Sequence, residues 1–124
     1  MNRNSVGWFE IYVDDMPRAR AFYEAVIGAK LEKLEGPDVE MYNFPMSEND
    51  APGSSGALVK TEGFPAGGNS VLVYFSCEDC AVEESRVVPA GGRIEKSKFS
   101  IGPYGFVALV YDTEGNMIGL HSMA

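Results

Sequence analysis

The feature that most constrains this 124-residue chain is a weak internal repeat. An alternating apolar run at 6–13 ends in an acidic pair, and a similar run at 70–77 is also followed by one. Asp15 and Asp79, which close the two acidic pairs, lie 64 residues apart, and each precedes a helix-like segment, a glycine and further apolar runs. A half of about 60 residues would be marginally stable alone, so we expect two modules that share one core.

The first helix is predicted between Asp15 and Gly28. Asp15 suits the N-cap, Pro17 suits the first turn, and Gly28 suits a left-handed residue just past the helix end. Apolar side chains recur between them with the spacing of one helix face, and we expect this face to meet the core: Ala19, Phe22, Tyr23, Val26 and Ile27.

The second helix is predicted to follow Asp79 and to be stopped by Pro89, which cannot continue a helix. Its inward face is expected to carry Ala81, Val82, Ser85 and Val88.

Short apolar runs between turn residues predict three further strands in each half. They are expected at 30–34, 39–46 and 57–61, and at 93–98, 105–111 and 116–122, with a loop at 50–56 and a turn at 112–115. The whole chain, 1–124, then forms one domain with module one at about 5–62, a glycine-rich linker at about 63–69 and module two at about 70–124.

The first strand of each half alternates between two kinds of side chain. In the first half, one face carries Phe9, Ile11 and Val13 and is predicted to meet the core, and the other carries Trp8, Glu10 and Tyr12. The second half repeats this division, with Val73, Phe75 and Cys77 on one face and Leu72, Tyr74 and Ser76 on the other.

Composition limits the partners that this chain can have. Its 18 acidic residues outnumber its 10 Lys and Arg, which gives a net charge of -8 and argues against nucleic acid as a partner. No apolar run approaches the about 18 residues that cross a bilayer, so we expect no membrane partner and a cytoplasmic protein. Cys77 and Cys80 are too few for a disulfide scaffold, and we interpret them as small core residues.

Three segments resemble a known family. They are Val13-Asp-Asp-Met-Pro-Arg-Ala-Arg-Ala-Phe-Tyr23 with Gly28, then Val87-Val-Pro-Ala-Gly-Gly92, and finally Tyr111-Asp-Thr-Glu-Gly-Asn-Met-Ile-Gly-Leu-His121. In this order they are similar to the glyoxalase, bleomycin-resistance and extradiol-dioxygenase (vicinal oxygen chelate) superfamily. The resemblance implies an α+β fold of two tandem βαβββ modules. Together they would form one eight-stranded, U-shaped mixed sheet, with helices on its convex face and a cavity on its concave face.

The same resemblance implies four metal-ligand positions, on the first and last strands of each module. Here they fall on Trp8, Leu72, Gly119 and a position near Ala57 or Leu58. None of these side chains offers the nitrogen, oxygen or sulfur donors that divalent metals bind in such sites. We therefore expect neither a metal nor any other cofactor.

Two side chains are candidates for acid–base catalysis. Glu10 shares a face with Trp8, and His121, the chain's one histidine, lies two residues past Gly119. The alternatives are a carboxylate that is solvated or paired with arginine at the sheet rim and a rim histidine without a partner. The residues expected to line the cavity are Trp8, Tyr12, Leu72, Tyr74, Tyr104, Phe106 and Gly119.

Several functions remain open at this point. The first is a metal-independent, glyoxalase-like enzyme with lyase or isomerase chemistry on a carbonyl metabolite. The second is a non-catalytic protein of bleomycin-resistance type that binds a drug or metabolite, and the third is a structural subunit whose cup is filled by its own side chains. The resemblance also implies a homodimer with a small-molecule ligand or substrate.

Overall fold

The order of helices and strands repeats once along the chain. The structure, a computed structural model, describes residues 6, 8–34, 39–46 and 53–124, so residues 50–52 of the predicted loop and residues 5 and 7 of module one lie outside the described residues. Module one contains β1 (Trp8–Tyr12), α1 (Met16–Ile27), β2 (Glu32–Leu34), β3 (Glu40–Asn43) and β4 (Ser55–Lys60). Module two contains β5 (Tyr74–Ser76), α2 (Cys80–Val87), β6 (Arg93–Ser100), a short 3-10 helix (Gly102–Tyr104), β7 (Phe106–Tyr111) and β8 (Met117–Ser122). The predicted pair of βαβββ modules is confirmed.

Each module builds its own mixed sheet. The strand orders are β1-β4-β3-β2 and β5-β8-β7-β6, and in both sheets the first strand runs parallel to the last. The eight expected strands are therefore present, divided between two hydrogen-bonded sheets of four. The rings of Phe9 on β1 and Phe75 on β5 meet edge to face at 5.9 Å and connect the two sheets.

The first helix forms as its sequence predicts. The Asp15 side chain accepts a hydrogen bond from the Arg18 backbone N–H, and Gly28 adopts the left-handed conformation with φ of 78°. Four of the five predicted inward residues, Ala19 to Val26, are buried completely, and Ile27 is partly buried.

The inward face of the second helix was predicted wrongly. Cys80 and Val87 are buried, whereas Val82 and Val88 are 47% and 61% exposed, and Ala81 and Ser85 also face solvent. Polar contacts along the helix set its rotation. The Cys80 N–H donates to the Ser122 hydroxyl, and the Glu84 carboxylate accepts from the Lys98 N–H.

Both modules contribute to one hydrophobic core. It includes Ile11, Phe22 and Leu58 from module one and Val87, Ala108 and Leu120 from module two. Where the modules meet, the rings of Tyr23, Phe44, Phe75 and Phe9 lie 5.4–5.9 Å from their neighbours. Tyr23 and Phe44 are buried in the core, and Phe9 and Phe75 are partly buried against it. Within the part of the chain that the structure describes, no helix is long and apolar enough to cross a membrane.

The turn between β7 and β8 fastens module two onto the start of α1. The Glu114 carboxylate accepts hydrogen bonds from the backbone N–H groups of Asp14 and Asp15 and two from the Arg18 guanidinium, at 2.7–3.0 Å. Burial disfavours the charged carboxylate, but the Arg18 contact and the backbone donors outweigh burial and lower the pKa of Glu114 to about 2.

This contact makes stability depend on pH in the acid range. Because folding lowers the pKa of Glu114 from 4.5 to about 2, its stabilising contribution is complete above pH 4.5 and is lost as the pH falls to about 2. The shift corresponds to on the order of 3 kcal/mol of unfolding free energy. We expect Glu114→Gln to lose most of this at pH 7 and to approach the wild type near pH 2, as measured by urea unfolding.

The matched control is Glu32→Gln, which alters an exposed carboxylate on β2. It should stay within about 0.5 kcal/mol of the wild type at pH 7. A constant difference between Glu114→Gln and the wild type from pH 7 to pH 2 would contradict the assigned pKa.

Candidate ligand-binding site

Three side chains of β1 form one hydrogen-bonded group on the face opposite the core. The Glu10 carboxylate accepts a hydrogen bond from the Tyr12 hydroxyl at 2.7 Å and one from the Trp8 indole N–H at 3.3 Å. The hydrogen bond to the carboxylate, together with burial and the carboxylate's charge, raises the pKa of Tyr12 above its usual value of 10.0. The predicted alternation is confirmed here, because Phe9, Ile11 and Val13 lie in or against the core instead.

A first cavity, of about 190 Å³, lies beside this group, between β1, the linker and the start of β8. The Phe64 ring stacks on Tyr12 with 5.5 Å between ring centres. Most of the cavity wall is apolar, and the lining residues are Glu10, Ile11, Tyr12, Pro65, Gly67, Asn69, Val71, Val73, Asn116, Met117 and Ile118.

A second cavity, of about 280 Å³, lies on the sheet of module two, and we call it the module-two cavity. Its lining residues are Tyr74, Phe99, Ile101, Val107, Leu109 and His121. The His121 Nε2 lies 2.7 Å from the Tyr104 carbonyl oxygen. Because a carbonyl oxygen only accepts, Nε2 is the donor in this hydrogen bond.

Tyr74 lines this cavity, and its ring lies over Gly119. The two residues are opposite each other in the β5–β8 ladder, and a Cβ atom at Gly119 would overlap the Tyr74 ring. The absence of a side chain at Gly119 therefore lets the half-exposed Tyr74 ring lie across β8. Both residues were predicted to line the cavity; Tyr74 does so, whereas Gly119 lies beneath the Tyr74 ring and is not a lining residue.

Other predicted cavity residues lie elsewhere. Phe106 packs against the core, on the same face of β7 as Ala108. The opposite face of β7, which carries Val107 and Leu109, is the one that lines the cavity. Tyr104 is 71% exposed and reaches the site through its backbone carbonyl rather than its ring. Neither Leu72, which is half-buried, nor Trp8, which is exposed, lines any of the three cavities of this section.

Sequence reasoning missed four lining residues. They are Phe99, Ile101, Val107 and Leu109. The available signal was the pairing of β7 with β8, which places Leu109 opposite Gly119 and Val107 opposite His121. Residues opposite each other in a ladder share a face, so the predicted positions on β8 could have identified those on β7.

A third, open cavity of about 500 Å³ lies where the modules meet. Phe9, Phe44 and Phe75 form its apolar wall, and Tyr74 and Ser76 lie at its margin. Tyr74 therefore borders both this cavity and the module-two cavity.

The two predicted catalytic residues line different cavities. Glu10 borders the first cavity, and His121 borders the module-two cavity. Glu10 is hydrogen-bonded to its own strand neighbours, whereas His121 is bonded to the Tyr104 backbone. The structure does not bring them together as an acid–base pair.

The metal site that the family implies does not fit these residues. Trp8, Leu72, Gly119 and Ala57 carry no side-chain group that binds a divalent metal. At Gly119 any ligand side chain would also collide with the Tyr74 ring. Among residues 6, 8–34, 39–46 and 53–124, no three His, Cys, Asp or Glu side chains are grouped closely enough to hold a metal ion.

Neither cysteine is disulfide-bonded. Cys80, the first residue of α2, is fully buried, as the core interpretation predicts, and Cys77 is partly buried. Burial, with a further contribution from the nearby Glu83 carboxylate, raises the pKa of the Cys77 thiol to about 12. This thiol is therefore protonated and unreactive near neutral pH.

The fold and the site together define a class of protein. A family model described as the Glyoxalase/Bleomycin resistance protein/Dioxygenase superfamily matches residues 5–120. The chain belongs to this superfamily, as its sequence motifs suggested.

One known protein is similar in sequence to most of this chain. The chain is 28% identical over 116 residues to the anthracycline biosynthesis protein DauV of Streptomyces sp. (strain C5), and the match covers 90% of this chain and 38% of that protein. The chain thus spans well under half the length of that relative.

Solved structures share the fold. TnmS3, an antibiotic binding protein from Streptomyces sp. CB03234, has a TM-score of 0.72 and 24% identity, over all of this chain and 99% of that one. Glyoxalase I from Zea mays has a TM-score of 0.73 and 20% identity, over 94% of this chain and 45% of that one.

Substitutions on the two faces of β1 should lower the unfolding free energy by different amounts. Phe9 contacts the Phe44 and Phe75 rings, so Phe9→Ala should leave a cavity and cost about 3 kcal/mol of unfolding free energy. Trp8 is 39% exposed, so Trp8→Ala should cost less than about 1 kcal/mol. Urea unfolding followed by far-ultraviolet circular dichroism measures both, and equal losses would contradict the face assignment.

Proposed function

We propose that this protein binds an apolar, partly aromatic small molecule in the module-two cavity and does so without a metal. The observation that carries the proposal is the wall of that cavity. Apart from the Tyr74 hydroxyl and the His121 imidazole, the side chains that line it are hydrocarbon: Phe99, Ile101, Val107 and Leu109. Ligand pockets typically combine such walls with a few polar groups that fix orientation.

Ring stacking provides the specific contact. Tyr74 is 49% exposed and lies over Gly119, so one face of its ring is available to a flat ligand. Stacking on such a ring contributes about 0.5–1.5 kcal/mol beyond the burial of apolar area. The names of DauV and TnmS3 support a ligand of this kind, because one concerns anthracycline biosynthesis and the other antibiotic binding.

Binding fits the polar groups of the site better than catalysis does. General acid–base chemistry needs a group placed at each proton that moves, and Glu10 and His121 border different cavities. His121 alone borders the module-two cavity, and the Tyr104 carbonyl fixes its imidazole through Nε2, so it is suited to orient a bound molecule. Catalysis by His121 is the second candidate, and the position of its imidazole on the wall of the module-two cavity is what favours it.

The uncharged dye N-phenyl-1-naphthylamine, which fluoresces strongly in apolar surroundings, tests the proposal. We expect saturable binding of one dye per chain that a chelator does not change. Tyr74→Ala should weaken binding about tenfold, because it removes the stacking ring and its buried area.

Tyr104→Ala is the matched control. It removes another exposed tyrosine ring but keeps the carbonyl that holds His121, so binding should change less than twofold. Equal effects of the two substitutions, or no saturable binding by the wild type, would refute the proposed function.

We also propose that the protein is a homodimer. Its support is the outer face of α2, where Val82, Val88 and Ala81 are exposed to solvent and would be covered by a second copy. Sedimentation at micromolar concentration should give twice the mass of the chain, and Val82→Asp with Val88→Asp should give the monomer. A monomeric wild type would contradict this assembly.

A further inference from the structure

The Glu10 group is the part of the molecule that the proposed function leaves unexplained. It consists of a carboxylate between an indole and a phenol, and a phenylalanine ring stacks on the phenol. Glu10 and Tyr12 of this group line a cavity of about 190 Å³, whose lining residues differ from those of the module-two cavity.

The carboxylate has unused hydrogen-bonding capacity. Its two oxygens can accept about four hydrogen bonds in total, and Trp8 and Tyr12 supply two. Among the residues that the structure describes, no lysine or arginine lies within ion-pair distance of Glu10. The Lys60 ammonium, on the neighbouring strand, donates to the Asp14 backbone carbonyl instead.

The other polar side chains of this cavity are already occupied. Asn69 donates to the carbonyls of Val71 and Met117 and accepts from the Met117 N–H. Asn116 accepts from the Gly67 N–H and donates to the Tyr12 carbonyl and the Asp112 carboxylate. These amides hold the linker and β8 in place, so Glu10 is the charged acceptor that remains for a ligand.

The Phe64 ring stacks on Tyr12 with one face and is 59% exposed, so its other face is open to the same kind of partner. The faces of aromatic rings carry negative charge density and attract a cation within about 6 Å. An anion would be repelled by Glu10 and by a chain whose net charge is -8. A neutral hydrogen-bond donor would gain from the carboxylate but not from the rings, so a cation with N–H groups gains most.

We propose that Glu10, Trp8, Tyr12 and Phe64 form a subsite for a protonated amine. Its ligands are apolar organic molecules that carry a primary or secondary ammonium group, which donates to the Glu10 oxygens and lies against the rings. This proposal rests on the proposed function in taking the natural ligand to be a small organic molecule, and it adds the chemical class of that ligand.

The test uses phenethylammonium chloride and its uncharged analogue 2-phenylethanol. Trp8 is the one tryptophan of the chain, and its indole N–H donates to Glu10, so its single nitrogen-15 indole resonance reports directly on the subsite. We expect the ammonium compound to shift this resonance in a saturable way and to bind roughly tenfold more tightly than the alcohol.

Glu10→Gln should abolish this preference, because the amide keeps the shape of the side chain and removes its charge. Glu32→Gln, which removes an exposed charge on β2, the opposite edge of the same sheet, should leave it unchanged. Equal binding of the two compounds by the wild type would overturn the proposal, whatever the variants do, as would an ammonium preference that persists in Glu10→Gln.

The dye experiment separates this proposal from the proposed function. If N-phenyl-1-naphthylamine binds and the ammonium preference is absent, the amine subsite is refuted and the apolar cavity stands. If the ammonium preference is present and the dye does not bind, the amine subsite stands and the module-two cavity is refuted as a binding site.

Discussion

The rest of the structure depends on a buried hydrogen bond between the two modules. The Tyr23 hydroxyl of α1 donates to the Asp112 carboxylate at 2.6 Å, at the turn before β8. Asp112 also accepts from two backbone N–H groups of its own turn and from the Asn116 amide. A buried carboxylate is costly without such partners, so the turn and the helix constrain each other. The pKa of Tyr23 is raised well above 10.0, mainly by burial and then by the Asp112 charge, which keeps its hydroxyl a donor.

This junction determines where the two cavities can lie. It holds one face of each sheet against the helices and the shared core. Because side chains alternate along a strand, every second side chain of β1 and β8 must then point away from the core. Asn116, which is bound to Asp112, also donates to the Tyr12 carbonyl and so connects the start of β8 to the end of β1. The first cavity forms beside that connection, and the module-two cavity forms along the remainder of β8.

The spacing of apolar residues and the residue types at the ends of helices and strands predicted most of the fold. The predictions that were wrong have physical causes. The helix α1 was predictable because its apolar stripe is strong and lies between Asp15 and Gly28. The helix α2 has 8 residues against 12 in α1, and its rotation is set by contacts with Ser122 and Lys98, which lie far away in sequence. The internal repeat could have predicted which side of α2 is buried. Residues 64 positions after the buried Met16 and Tyr23 are Cys80 and Val87, and these are the buried residues of α2. For the site, alternation predicted the residues of β1, but the partners of His121 on β7 required the strand register.

The repeat also explains why the two cavities differ in chemistry. A shift of 64 residues relates Glu10 to Tyr74, and each faces a small residue on the last strand of its module, Ala57 or Gly119. A small residue there leaves space over the sheet, and the residue opposite it determines the chemical character of that space. In module one it is a carboxylate held by two aromatic donors, and in module two it is an aromatic ring. One backbone arrangement, used twice, thus presents a charged acceptor and an apolar surface on either side of the junction between the modules.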